Sequence, residues 1–141
     1  MSQDRYQFVF SDLMGSDSAV TMSTNKTASR TLSVSVDDSQ LPSVSHGPLS
    51  PLIHDLVDLA TAVNTADRLT PNRHNQKREI SIVLPVRIPD ALVSISEDVR
   101  DILFFLTHDD WDFEFTQRSS IRRTSELQMS LLHEVKSVGT P

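Results

Sequence analysis

The sequence predicts an α+β domain in which two helices pack on one face of a four-stranded, mainly antiparallel sheet. Four segments alternate apolar and polar residues with the period of a half-buried strand, and two longer segments carry apolar residues at helical spacing. These segments follow one another in the order β-β-α-β-α-β. Two helices on a single face would cover all the apolar stripes and leave the other face of the sheet polar.

The first two predicted strands cover residues 5–10 and 30–36. The first carries Tyr6, Phe8 and Phe10 at every second position, and the second alternates leucine or valine with serine. This period of two is typical of a strand with one buried face. We expect the two strands to pair antiparallel, although the connection between them is long for a hairpin.

Two polar segments, residues 11–29 and 37–48, are predicted to be loops. The first is rich in Ser, Thr, Asp and Asn, and the second contains Asp, Ser, two prolines and a glycine. These residue types favour turns and irregular backbone over helices and strands.

The first predicted helix begins at Ser50 and Pro51, because serine is a favoured N-cap and proline is favoured at the first helical position. It is expected to end near Leu69, before a Thr-Pro pair. Asp55 and Asp58 lie early in the helix, where its dipole favours negative charge. The apolar residues at helical spacing are Leu52, Leu56, Leu59, Ala60, Val63 and Ala66.

The second half of the chain is predicted to contain strands at 78–86 and 110–116 with a helix at 94–107 between them. Ser94 or Ser96 is predicted to cap this helix. The predicted buried stripe of the helix consists of Ile95, Val99, Ile102, Leu103 and Leu106. Residues 1–116 would then form one small domain, and residues 117–141 would form a polar tail or linker containing a short helix.

The composition narrows the classes of partner. The net charge is −6, the isoelectric point is about 5.2, and there is no cysteine. An acidic chain has no general attraction for phosphate backbones or anionic lipids, so neither nucleic acid nor membrane is expected as a direct partner. No apolar run approaches the ~20 residues of a membrane helix, and the first residues do not look like a secretion signal. The sequence therefore predicts a cytoplasmic location.

Motifs that carry catalytic chemistry are missing from the sequence. It has no Gly-x-Ser-x-Gly turn, and its three glycines do not form a phosphate-binding loop. The five histidines have no metal-ligand spacing and are predicted to lie at the surface. We therefore predict no catalytic residues, no cofactor and no metal. One alternative is a divalent-metal enzyme that uses Asp110, Asp112 and Glu114, although a solvated strand face explains this row more simply.

Two sets of charged residues are predicted to contact a partner. Asp67 and Arg68 lie at the end of the first helix. Either the pair docks onto a neighbouring domain, or the arginine simply satisfies the last carbonyls of the helix. Arg118, Arg122 and Arg123 form a basic segment after the last strand, which would contact nucleic acid or an acidic partner, or would simply belong to a solvated tail.

Three motifs carry a family resemblance. The helix ends in Ala66-Asp67-Arg68, and a strand ends in Pro85-Val86-Arg87-Ile88-Pro89. The third motif, Phe105-Leu106-Thr107-His108-Asp109-Asp110-Trp111, runs from the end of the second helix into the last strand. The chain thereby resembles the N-terminal domain of 7-cyano-7-deazaguanine synthase-like proteins of bacterial anti-phage defence operons, which are related to queuosine biosynthesis. The resemblance covers about half of the chain.

The resemblance also implies what the chain lacks. Members of that family continue into an ATP-pyrophosphatase domain with a Ser-Gly-Gly-x-Asp-Ser phosphate loop, and this motif does not occur here. The resemblance therefore implies a truncated product, a split-gene subunit or an isolated domain, with any nucleotide chemistry in a partner. The predicted function is that of a non-catalytic accessory or interaction module. The alternative is a free-standing interaction protein with another protein partner.

Overall fold

The structure is a computed structural model that describes residues 4–13, 18–25, 28–34, 50–71 and 76–119. It confirms an α+β architecture with two helices. The elements in chain order are β1 (Asp4–Phe10), β2 (Ser18–Thr24), β3 (Arg30–Val34), α1 (Pro51–Leu69), β4 (Arg78–Val86), α2 (Pro89–Thr107) and β5 (Asp110–Gln117).

The sheet is mixed and has five strands in the order β3-β2-β1-β4-β5, so the prediction of four mainly antiparallel strands is wrong in detail. β2 pairs antiparallel with β1 and with β3, whereas β4 pairs parallel with both β1 and β5. The parallel pairs follow from the two helical connections. Each helix carries the chain from the end of one strand back to the edge of the sheet where that strand began, so the next strand runs in the same direction as the last.

The additional strand, β2, lies inside the segment that the sequence predicts to be a loop. Its side chains do alternate, with Val20 and Met22 buried and Thr21 half-buried on the other face. Phe8 of β1 pairs with Met22, and Val20 pairs with Leu32 of β3. Because the polar positions are short Ser and Thr residues, the composition resembles that of a loop while the period is that of a strand.

The hydrophobic core lies on one face of the sheet. Phe8, Ile82 and Phe113 occupy the same level of β1, β4 and β5, so their side chains share a face. Apolar residues of both helices, including Leu59 of α1 and Leu92 of α2, belong to the same core cluster, which confirms that both helices cover this face. The opposite face carries polar side chains and remains uncovered by any described element.

The first helix begins as predicted. The Ser50 hydroxyl accepts a hydrogen bond from the backbone N–H of Ile53 (3.3 Å), and Pro51 occupies the first turn. The helix ends at Leu69, and the hydroxyl of Thr70 donates to the carbonyl of Ala66 (2.9 Å). A side chain outside the helix therefore satisfies one of its terminal carbonyls.

The second helix begins earlier than predicted, at Pro89, and no side chain caps it. Ser94 and Ser96 are inside the helix, where their hydroxyls donate to the carbonyls of Ala91 (2.6 Å) and Val93 (2.9 Å). Their prediction as caps is therefore wrong. Proline at the first helical position sets the boundary instead, because its ring fixes a helical φ and it lacks an N–H that would need a partner.

Candidate interaction surfaces

Helix α1 is tied to the core by a buried ion pair. The guanidinium of Arg118 donates to the carboxylate of Asp58 (3.1 Å) and to the carbonyl of Leu13 (2.7 Å). Both charged side chains are almost fully buried, at 1% exposed for Arg118 and 0% for Asp58. The backbone N–H of Arg118 also donates to the carbonyl of Val86 (2.8 Å). Arg118 thus lies inside the protein and stabilises it, rather than presenting its charge to a partner as the sequence predicts. Arg122 and Arg123 lie outside the described residues.

A second buried carboxylate of α1 fixes the entry to α2. Asp55 is fully buried and accepts hydrogen bonds from the backbone N–H groups of Arg87 (2.9 Å) and Ile88 (2.8 Å). These two amides belong to the turn between β4 and α2, so the carboxylate holds the end of β4 against the first helix. The prediction that Asp55 and Asp58 serve the helix dipole misses this packing role.

A third polar cluster joins the far end of α1 to the start of β4. The buried guanidinium of Arg78 contacts Asp109 (Nε–Oδ2 3.0 Å), Asp67 (Nη2–Oδ1 2.9 Å) and the hydroxyl of Thr70 (Nη1–Oγ1 2.6 Å). Burial by itself lowers the pKa of Arg78, but the hydrogen bonds and charges of Asp109 and Asp67 outweigh it, and the net effect is a raised pKa. Arg78 is therefore a permanent cation that organises this end of the fold.

The Asp67-Arg68 pair is divided between two surroundings. Asp67 belongs to the Arg78 cluster but keeps 49% of its side chain exposed, and the neighbouring Arg68 is exposed as well. In the part of the chain that the structure describes, no hydrogen bond or ion pair is formed by Arg68. Both side chains are therefore accessible at the surface, and Arg68 does not serve the carbonyls at the end of the helix.

The acidic row of β5 lies on the uncovered face of the sheet. Asp110, Asp112 and Glu114 are all exposed, as predicted for a solvated strand face. Asp110 forms an ion pair with Lys77 (3.2 Å). No group of three His, Asp or Glu side chains within the described ranges has the geometry to hold a metal ion. Of the two histidines in the described residues, His54 is buried, so its predicted surface position is wrong, and His108 is exposed.

The C-terminal end of α2 exposes large apolar side chains. Phe105 is 80% exposed, Leu106 is 66% exposed and Ile102 is 58% exposed, so the predicted burial of Ile102 and Leu106 is wrong. Val93 and Phe104 are also exposed. Leu92 is the one fully buried residue of this helix, while Ile95, Val99 and Leu103 are half-buried against the core. We call Ile102, Phe105 and Leu106 the α2 patch.

The α2 patch is held rigidly. The helix ends at His108 in a left-handed conformation (φ 60°), and its N–H donates to the carbonyl of Phe104 (2.8 Å). The hydroxyl of Thr107 then accepts a hydrogen bond from the indole N–H of the buried Trp111 (2.9 Å). The last turn is thereby joined to β5, so exposure of the patch does not result from fraying of the helix.

Comparison of the chain with protein-family models, with curated proteins and with solved structures finds no match. Within the described residues, neither helix combines the length and apolar character that crossing a membrane requires. The function must therefore be inferred from the geometry of the described residues.

Proposed function

We propose that this protein is a non-catalytic accessory module that docks onto a protein domain through the α2 patch. The observation that supports this is the exposure of three large apolar side chains on one rigid helix end. Isolated exposed apolar residues are ordinary, but a contiguous set on a well-ordered element is typical of a protein–protein interface. Aromatic side chains such as Phe105 are also enriched at such interfaces.

The charges around the patch indicate the kind of partner. Glu97, Asp98 and Asp101 are exposed on the same helix, and Asp90 lies in its first turn. The one basic residue of the helix, Arg100, donates to the backbone carbonyl of Trp111 (2.8 Å) at the edge of the sheet. A complementary partner surface would therefore have an apolar centre with basic residues around it, because opposite charges across an interface favour the correct partner.

The partner that the resemblance implies is the ATP-pyrophosphatase domain of a 7-cyano-7-deazaguanine synthase-like protein. Phe105 and Leu106 belong to the Phe-Leu-Thr-x-Asp-x-Trp motif on which the resemblance depends. In this motif the threonine and tryptophan bond to each other, whereas the phenylalanine and leucine face outward. Internal packing explains why the motif contains Thr107 and Trp111, and docking would explain why it contains Phe105 and Leu106.

Isothermal titration with the ATP-pyrophosphatase domain of a 7-cyano-7-deazaguanine synthase-like protein tests the proposal. We expect binding that Phe105→Glu weakens by about a hundredfold, since charge at the centre of an interface is strongly unfavourable. The matched control is Ile53→Glu, which places the same charge on an exposed apolar position of α1 (41% exposed). Equal binding by both variants would contradict the proposed surface, and no binding by the unmodified protein would contradict the proposed partner.

A further inference from the structure

The two edges of the sheet differ in how they are protected. At the β5 edge, Arg100 bonds to the carbonyl of Trp111, and acidic side chains follow along the strand. β3 forms the other edge, and none of its backbone groups has a partner beyond β2 in the described part of the chain. An unprotected edge presents a row of N–H and C=O groups that pair readily with another extended segment.

A groove of about 640 Å³ lies beside this open edge, between β3 and α1. Leu32 and Val34 line it from the strand, and Thr61, Asn64 and Thr65 line it from the helix. It therefore offers apolar contacts on one side and hydroxyl and amide groups on the other. A strand added to β3 would point every second side chain toward this groove.

One arginine lines the groove, and a second begins β3 at the same end of the sheet. Arg68 lines the groove from α1, and Arg30 lies on the same face of β3 as Leu32. Neither forms a hydrogen bond or an ion pair in the described structure. The hydrogen bond between Arg78 and Thr70 shows that the C-terminal end of α1 lies beside the first residue of β4. Because β3 and β4 run in the same direction, the first residue of β3, Arg30, lies at this same end of the sheet.

We propose that this groove binds the carboxyl-terminal segment of a partner protein as an added strand, antiparallel to β3, with its free carboxylate on Arg30 and Arg68. The antiparallel direction follows from the geometry, since it brings the carboxyl end of the added strand to the start of β3. Backbone hydrogen bonds to β3 would hold the strand, and the groove would select apolar side chains at alternate positions. Two guanidinium groups in a chain of net charge −6 are complementary to a carboxylate. This surface is separate from the α2 patch.

The experiment uses the full chain and a bead-bound library of random heptapeptides presented with free carboxyl termini. We expect selected peptides to carry apolar residues at alternate positions. Measured by fluorescence anisotropy, a selected peptide should lose binding about tenfold or more when its terminus is amidated or when Arg68 is replaced by alanine. N-methylation of its alternate backbone nitrogens should abolish binding, because these groups then cannot donate to β3.

The matched control is Arg5→Ala, which removes an exposed guanidinium from the opposite face of the sheet, where Arg5 pairs with Glu79 (2.8 Å). It should leave peptide affinity unchanged, as should Phe105→Glu. The proposal is overturned if no peptide is enriched, or if amidated and free peptides bind equally. It is also overturned if light scattering shows that the chain is a dimer and hydrogen exchange shows that the outward backbone N–H groups of β3 are protected in that dimer.

Discussion

The two helices have the same length, 19 residues each, and cover the same face of the sheet, yet they differ in what they bury. Helix α1 buries His54, Asp55 and Asp58 together with apolar residues. Helix α2 buries Leu92 fully and leaves most of its large apolar side chains at the surface. Helix α1 exposes Leu52, Ile53 and Leu56 only in part, at 37–42%, whereas exposure of the apolar side chains of α2 reaches 80% at Phe105. The buried polar groups of α1 thus have partners inside the protein, whereas the apolar end of α2 is accessible to a contact outside it.

The largest expected effect of a substitution lies in α1. Asp58→Ala would leave the charge of Arg118 buried without its carboxylate, and we expect the free energy of unfolding to fall by about 3–5 kcal/mol. Urea denaturation measures this change. Asp98→Ala, an exposed position of α2, is the matched control and should change stability by less than about 0.5 kcal/mol. A loss below about 1 kcal/mol for Asp58→Ala would show that the ion pair is not buried in solution.

The core side of α2 gives the next effect. Leu92→Ala should lower the free energy of unfolding by about 2–4 kcal/mol, because it removes fully buried apolar volume and leaves a cavity. The neighbouring Val93 is 57% exposed, so Val93→Ala should cost less than about 0.5 kcal/mol. Thermal unfolding of the two variants compares a buried position with the adjacent exposed position of one helix. Similar costs would mean that α2 does not pack in the observed orientation.

A smaller effect is expected at the turn between β4 and α2. Asp55→Ala removes the acceptor of the Arg87 and Ile88 amides, and we expect a loss of about 2 kcal/mol. Asp55→Asn keeps one acceptor oxygen and should cost less. Hydrogen exchange at these two amides reports the change directly. Unchanged protection in the alanine variant would contradict the role assigned to this carboxylate.

The smallest effect on stability is expected in the α2 patch. Phe105→Ala should change the free energy of unfolding by less than about 0.5 kcal/mol, since the side chain is 80% exposed. Chemical denaturation of the isolated protein measures this. A cost above 2 kcal/mol would show that Phe105 is packed within its own chain, and the basis of the proposed interface would be lost.

The sequence predicts some elements of the fold and misses others. The period of two in β1, β4 and β5 and the period of the helices are strong signals, because every second or every third to fourth residue is large and apolar. β2 escapes them because its outward positions are the small residues Ala19, Thr21 and Ser23, and its buried positions include Ser18. β4 runs parallel to β1, and β5 runs parallel to β4, because helices connect the strands. The sequence prediction considers only which face of each strand is buried, so it does not give these directions.

The candidate sites are harder to predict for a different reason. Asp58 and Arg118 are far apart in the chain, so the aspartate looks like a residue of a helix N-terminus and the arginine looks like part of a tail until the fold brings them together. Ile102 and Leu106 fit the buried stripe of a helix, and sequence spacing cannot show that no described element covers that side. The groove beside β3 likewise depends on which strand lies at the edge of the sheet.

Site-specific photocrosslinking is a direct test of whether the α2 patch is a protein interface. Benzoylphenylalanine would replace Phe105 in one variant and Ile53 in a control, and both would be irradiated in the cells that produce the protein. We expect position 105 to give one adduct, which contains an ATP-pyrophosphatase domain. Position 53 should give no such adduct. The absence of an adduct at position 105, or the same adducts from both positions, would contradict the proposed interface.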